Sequence, residues 1–151
     1  MLRKQLAESL ADAMRARDKL KTGTLRLILA AIKDRDIASR DGDNHDGVSD
    51  EEILQILQKM VRQRRESIVT YEEAGRAELA EQELAEIVVI EDFLPRQMEP
   101  SEIDEAVKAT VADLGCESIR DMGKLMSALR DKYNGQMDFG KASGLAKEML
   151  Q

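Results

Sequence analysis

The stretch SIRDMGKLMSALRDKYNGQMDFGKASGLAKEM, Ser118 to Met149, decides the fold. Met122, Leu125, Met126 and Leu129 recur at helical spacing, so one face of a helix is apolar, and Asn134-Gly135 ends that helix in a turn. Asp138 then stands at an N-cap position, and a second short helix turns Phe139, Ala142, Leu145, Ala146 and Met149 to one side. Two short helices about one Asn-Gly turn cannot bury their stripes alone. They need a third, which the sequence supplies in a helix opening at Ser101, where Ser101 and Asp104 have capping spacing. Its stripe is Ile103, Ala106, Val107, Thr110, Val111 and Leu114, and Gly115 closes it.

Upstream, the pattern remains helical. Leu2, Leu6, Leu10, Ala13 and Met14 mark a first amphipathic helix, interrupted at Gly23. Leu25, Ile28, Leu29 and Ile32 mark a second, the most apolar of the chain and therefore expected to be central. The third has the clearest start: Ser49 as N-cap, Glu52 completing a capping box, and Val48 with Ile53 as a hydrophobic staple. It runs through Ile53, Ile56, Leu57, Met60, Val61, Ile68 and Tyr71 to Gly75, which reads as the left-handed cap of a tight hairpin. A return helix carries Leu79, Leu84, Ile87, Ile90 and Leu94 before Pro95. Almost no segment alternates with period two. The expected fold is all-α, with an N-terminal four-helix region over 1–94 containing the long hairpin, a linker at 95–100 with two prolines, and a three-helix unit over 101–151.

Composition narrows the function. There is no Trp, with two Phe and two Tyr, so aliphatic residues and eight methionines must fill the interior. The formal charge of -7 is uneven: residues 1–36 carry nine Lys/Arg against five Asp/Glu, and residues 76–107 carry two against ten. Bulk electrostatics would repel nucleic acid, so only a local basic surface could hold it. Cys116 is alone, which excludes an internal disulfide and fits a reducing compartment. With no apolar leader or span in view, the expected location is cytoplasmic.

Catalytic equipment is absent from the pattern. There is no P-loop, no GxGxxG, no zinc spacing and no HExxH, so neither a cofactor nor a metal is expected. Asp41, Asp43, His45, Gly47, Ser49 and Glu52 imitate the ligand count of a calcium loop, but Asp46 occupies the position whose sharp turn wants glycine, and a solvated loop is the better account. His45, the one histidine, lies in that loop. Glu117 beside Cys116 would raise rather than lower a thiol pKa.

Arg64 falls in the middle of the long helix's apolar stripe, and Glu83 falls inside the stripe of the return helix. Counted from Gly75, Arg64 and the pair Glu83 and Glu86 lie at similar heights, so a bridge from Arg64 to Glu83 or Glu86 is expected to fix the register. The alternative is an arginine that snorkels past its methylenes to water. Two basic clusters remain: Lys59, Arg62 and Arg65 on the outer face of the long helix, and Lys124, Lys132, Lys141 and Lys147 in the C-terminal unit. Solvated helix faces carry such charges routinely.

One resemblance bears on them. The run Asp121-Met122-Gly123-Lys124-Leu125-Met126, followed by Gly135-Gln136-Met137-Asp138, resembles the YqeY family. Gln63-Arg64-Arg65-Glu66-Ser67-Ile68 and the Leu94-Pro95 break also look like it, so the resemblance spans the chain. That family is similar to the tail domain of the B subunit of the aspartyl/glutamyl-tRNA amidotransferase. The resemblance implies a module whose surface meets an RNA backbone, with Gly123, Lys124, Met126, Gly135 and Asp138 matching its motif. It implies an accessory protein that binds tRNA or a tRNA enzyme, with any carbon–nitrogen ligase activity a matter of kinship. The competing expectation is a helical adaptor that meets another protein through the acidic surface of residues 76–107.

Overall fold

A computed structural model describes residues 1–38 and 47–151. Among them every regular element is helical, which bears out the all-α expectation. The chain divides into two compact units, Met1–Leu94 and Pro95–Gln151.

The first unit holds α1 (Leu2–Arg15), α2 (Lys19–Ala38), α3 (Asp50–Glu73) and α4 (Ala77–Glu91). Leu6, Leu25, Ile28, Ile32, Ile53, Leu57 and Ile90 are fully buried together. Each such side chain contributes about 1.5–3 kcal/mol through removal from water. The break between α1 and α2 is not at Gly23 but at Arg17, which takes a left-handed φ of 57°. Asp18 Oδ1 then accepts the Lys21 N–H and starts α2, and the helix runs through Gly23. A glycine inside a helix costs only about 1 kcal/mol, and packing of Leu25, Ile28 and Ile32 outweighs it.

Helix α3 opens at Ser49, whose Oγ accepts from Glu52 N at 3.2 Å with Val48 and Ile53 both buried, but the expected capping box forms only by half, since the Glu52 side chain does not return a bond to the Ser49 N–H. Gly75, at φ 72°, reverses the chain into α4. Leu84, expected in the α4 stripe, is 52% exposed, because the buried face is narrower and consists of Ala80, Ile87 and Ile90. The helix also stops at Glu91, before Pro95 can act on it, and the N–H groups of Phe93 and Leu94 close a last turn on Ile90 and Glu91.

The second unit holds α5 (Pro100–Leu114), one 3-10 turn (Ile119–Asp121), α6 (Met122–Tyr133) and α7 (Phe139–Leu150). Its core is Ile103, Ala106, Val107, Leu125, Met126, Leu129, Met137, Ala142, Ala146 and Leu150. Helix α5 is capped by Glu99 rather than Ser101: Glu99 and Glu102 form a reciprocal capping box and Pro100 takes the first helical position. Proline is suited to that position because its missing N–H would be unsatisfied there anyway. The segment expected as a linker is held to this unit. Gln97 Nε2 donates to Gly135 O at 2.6 Å, and Met98 N donates to Gln136 O at 2.9 Å.

Candidate nucleic-acid interface

The turn between α6 and α7 organises the candidate surface. Gly135, at φ 79°, makes a reversal that a side chain would strain, and Asp138 Oδ1 accepts from the N–H groups of Gly140 and Lys141. Met126 is buried in the core beneath, while Gly123 is exposed, with open space where a Cβ would point. The motif residues therefore split between packing, turn and surface.

Lys124, Lys132, Lys141 and Lys147 are all exposed. They do not form one row. Lys124 and Lys132 lie eight residues apart on α6, about 12 Å along the axis and about 80° around it; Lys141 and Lys147 on α7 are separated by about 9 Å and 120°. Lys124 is also occupied structurally, since its Nζ donates to Leu114 O, at the C-terminal end of α5, at 3.2 Å. It further sits near Asp121, whose carboxyl is held below its ordinary range first by the N–H groups of Glu117 and Ser118 and then by the Lys124 charge. Lys132 lies over the Tyr133 ring, 5.4 Å from its centre.

Two cations that the sequence reading missed, Arg120 and Arg130, are exposed on the same segment. From Ser118 onward six Lys/Arg face four Asp/Glu, whereas α5 carries one lysine against four acids. The basic character of this unit is thus confined to the segment from Ser118 onward, and a charge count by helix would have found it.

The second cluster behaves differently. Lys59, Arg62 and Arg65 are exposed on α3, but Arg65 Nη2 is 2.8 Å from Glu91 Oε1 of α4. Beside it, Arg64 Nε donates to Glu86 Oε2 at 2.9 Å and Nη1 to Met60 O at 3.2 Å. Arg64 does not snorkel to water. Glu83 lies off this bridge, and its carboxyl is pushed up, first by burial and then by the Glu86 charge, with Arg64 pulling the other way.

Of the imitation calcium loop, Asp41, Asp43, His45 and Asp46 lie outside the described residues, while Ser49 Oγ is taken up in capping α3 by accepting the Glu52 N–H. Among the described residues no group of three or more His, Cys, Asp or Glu is placed to hold a metal ion. Cys116 is a half-buried free thiol next to the left-handed Gly115.

A family model described as Yqey-like protein matches residues 3–150. The chain belongs to the YqeY family. YqeY proteins have as their known relative the tail domain of the amidotransferase B subunit. Among curated proteins, this YqeY chain is similar to "Altered inheritance of mitochondria protein 41, mitochondrial" of Kluyveromyces lactis, at 33% identity over 72% of the chain and 58% of that protein. The protein of the same name from Eremothecium gossypii is 38% identical over 59% of the chain and 46% of its own length. That from Pyrenophora tritici-repentis is 28% identical over 87% and 71%. The chain spans about half the length of the first two. These names overturn the cytoplasmic expectation. A lone thiol indicates a reducing setting without saying which one, and the described helices show only that none is long and apolar enough to cross a membrane.

Proposed function

We propose that this chain is an accessory of tRNA metabolism that binds tRNA, or an enzyme handling tRNA, through the basic surface of its C-terminal unit. Membership of the YqeY family carries the reading, and its kinship to glutamine-dependent carbon–nitrogen ligases is through the amidotransferase tail. The exposed Lys124, Lys132, Lys141 and Lys147, joined by Arg120 and Arg130, support it. An RNA backbone is met through its phosphates, and cations spread over two helices and the 3-10 turn before them suit shape-based contact better than a pocket would. Lys59 and Arg62 offer a second, smaller patch, with Arg65 already partly neutralised by Glu91. The relatives' names favour a mitochondrial setting for this work.

A second reading, the protein–protein adaptor, is favoured by α4, which has no Lys or Arg and exposes Leu84 and Val88. A gel shift with bulk tRNA at two salt concentrations separates the two. RNA binding predicts a shift at low salt that weakens steeply as salt rises. The absence of any shift at low salt would leave the adaptor as the better account.

A further inference from the structure

Two exposed helix faces of the first unit carry apolar residues and opposite charge. On α2, Leu20 and Leu27 are 38% and 51% exposed, and the exposed Lys19, Arg26 and Lys33 beside them outnumber one exposed acid on that face, Asp34. On α4 and its C-cap, Leu84 and Val88 are 52% and 66% exposed, flanked by the exposed Glu78, Glu81 and Asp92. Among the described residues Lys19, Lys33, Glu81 and Asp92 enter no ion pair, and the Arg26 guanidinium enters none either, its Nη2 donating to Met14 Sδ at 4.0 Å.

The unpaired charges flank the apolar pairs: Lys19 to Lys33 spans fourteen residues of α2, about 21 Å, and Glu81 to Asp92 spans eleven on α4, about 16 Å, while Glu78 is already paired with Arg76 at 3.0 Å. We propose that these faces are complementary halves of a self-association surface, the α2 face of one copy docking on the α4 face of another. Charge complementarity commits the occupant to a second copy. A partner covering α4 needs apolar side chains on a basic helix, and α2 of the same chain supplies that. This holds whether or not the C-terminal unit binds RNA. An interface anchored by two apolar residues a side belongs to the small, transient class, so the association is concentration-dependent and salt-sensitive.

The test is sedimentation equilibrium of the full chain with two charge-reversed variants, Arg26→Glu/Lys33→Glu and Glu81→Lys/Asp92→Lys. All four positions are exposed, so both variants should keep the helical signal and melting temperature of the parent. The parent should self-associate at about 100 µM and low salt, and each variant alone should lose about tenfold or more in association constant. Mixing the two variants should restore association, because both junctions between unlike chains are then of opposite charge: acidic α2 against basic α4, and unaltered basic α2 against unaltered acidic α4. A parent that stays monomeric, variants that associate as the parent does, or a mixture that stays monomeric would each overturn the proposal.

Discussion

The Arg64 guanidinium and the Glu86 carboxylate meet at 2.9 Å across the α3–α4 hairpin, with 13% and 14% of their side chains exposed. A charge so far withdrawn from water is tolerated only while its partner stays. Arg64→Ala or Glu86→Ala should each cost about 2–4 kcal/mol, since either leaves the other ion largely buried and uncompensated. Replacing both, with Arg64→Met and Glu86→Leu, should cost less than either single change. The measurement is urea unfolding, with the midpoint falling at unchanged slope. Additive losses in the double variant would show that the two groups act independently.

A second polar knot ties the start of the chain to both helices that follow. Arg3 donates to both Asp36 oxygens at 2.8 and 2.9 Å, and Asp36 Oδ1 accepts from Val48 N at 2.9 Å. Gly47 stands beside it at φ 82°, where a Cβ would lie 2.8 Å from Asp36 Oδ1. Gly47→Ala therefore combines backbone strain with a clash against the knot, and should destabilise by about 2 kcal/mol. Asp36→Ala should cost about 1–3 kcal/mol by leaving Val48 N without its acceptor. Both are read from thermal melts, and equal melting temperatures for parent and Gly47→Ala would refute the first.

Two glutamates should give opposite pH dependences. The Glu102 carboxyl is brought from its ordinary 4.5 to about 2, chiefly by the Arg96 guanidinium that donates to both its oxygens and then by the Glu99 N–H. A lowered carboxyl pKa stabilises the fold above the unfolded value, and that stability is lost as pH falls from about 4.5 toward 2. Glu102→Gln should flatten the acid limb of the stability curve. Glu83 runs the other way. Its raised pKa means that stability is complete below the unfolded value and declines as pH rises through the folded one. Glu83→Gln should therefore be more stable than the parent at neutral pH and gain little at pH about 4. Denaturant midpoints at the two pH values decide both.

The helical stripes and most caps were legible in the sequence because periodicity and local hydrogen bonding act over a few residues. Ser49, Asp138, Gly75 and Gly115 sit where their own chemistry places them. The misplaced boundaries share a cause. Gly23 was weighed by its intrinsic cost, although Arg17 can take the left-handed turn and Asp18 can cap α2. Ser101 outranked Glu99 by residue type, although Pro100 fixes where the first helical residue must be. Longer-range pairs were harder: the Arg64 partner was narrowed to Glu83 or Glu86 by counting from the turn, whereas the Arg3–Asp36 knot, 33 residues apart in sequence, leaves no local trace. Of the candidate site, charge could be counted but not arranged, because the bond from Lys124 to Leu114 O and the exposure of Arg120 and Arg130 depend on how the helices pack.

That distinction shapes the RNA experiment. Lys124→Glu removes a cation and also the donor to Leu114 O at the end of α5, so lost binding in that variant would mix unfolding with lost contact. Lys141 and Lys147 have no hydrogen bond or ion pair through their side chains among the described residues, and Lys132 has only its contact with Tyr133. Lys132→Gln, Lys141→Gln and Lys147→Gln should each leave the melting temperature within about 1 °C of the parent. Each should weaken tRNA binding across all sequences alike and reduce the slope of log affinity against log salt by about 0.7–1 if that lysine meets a phosphate. Binding curves at four salt concentrations measure this. A slope that none of the three changes would place the contact elsewhere than on these three lysines, with Arg130 of α6 and then Lys59 and Arg62 of α3 the next to neutralise.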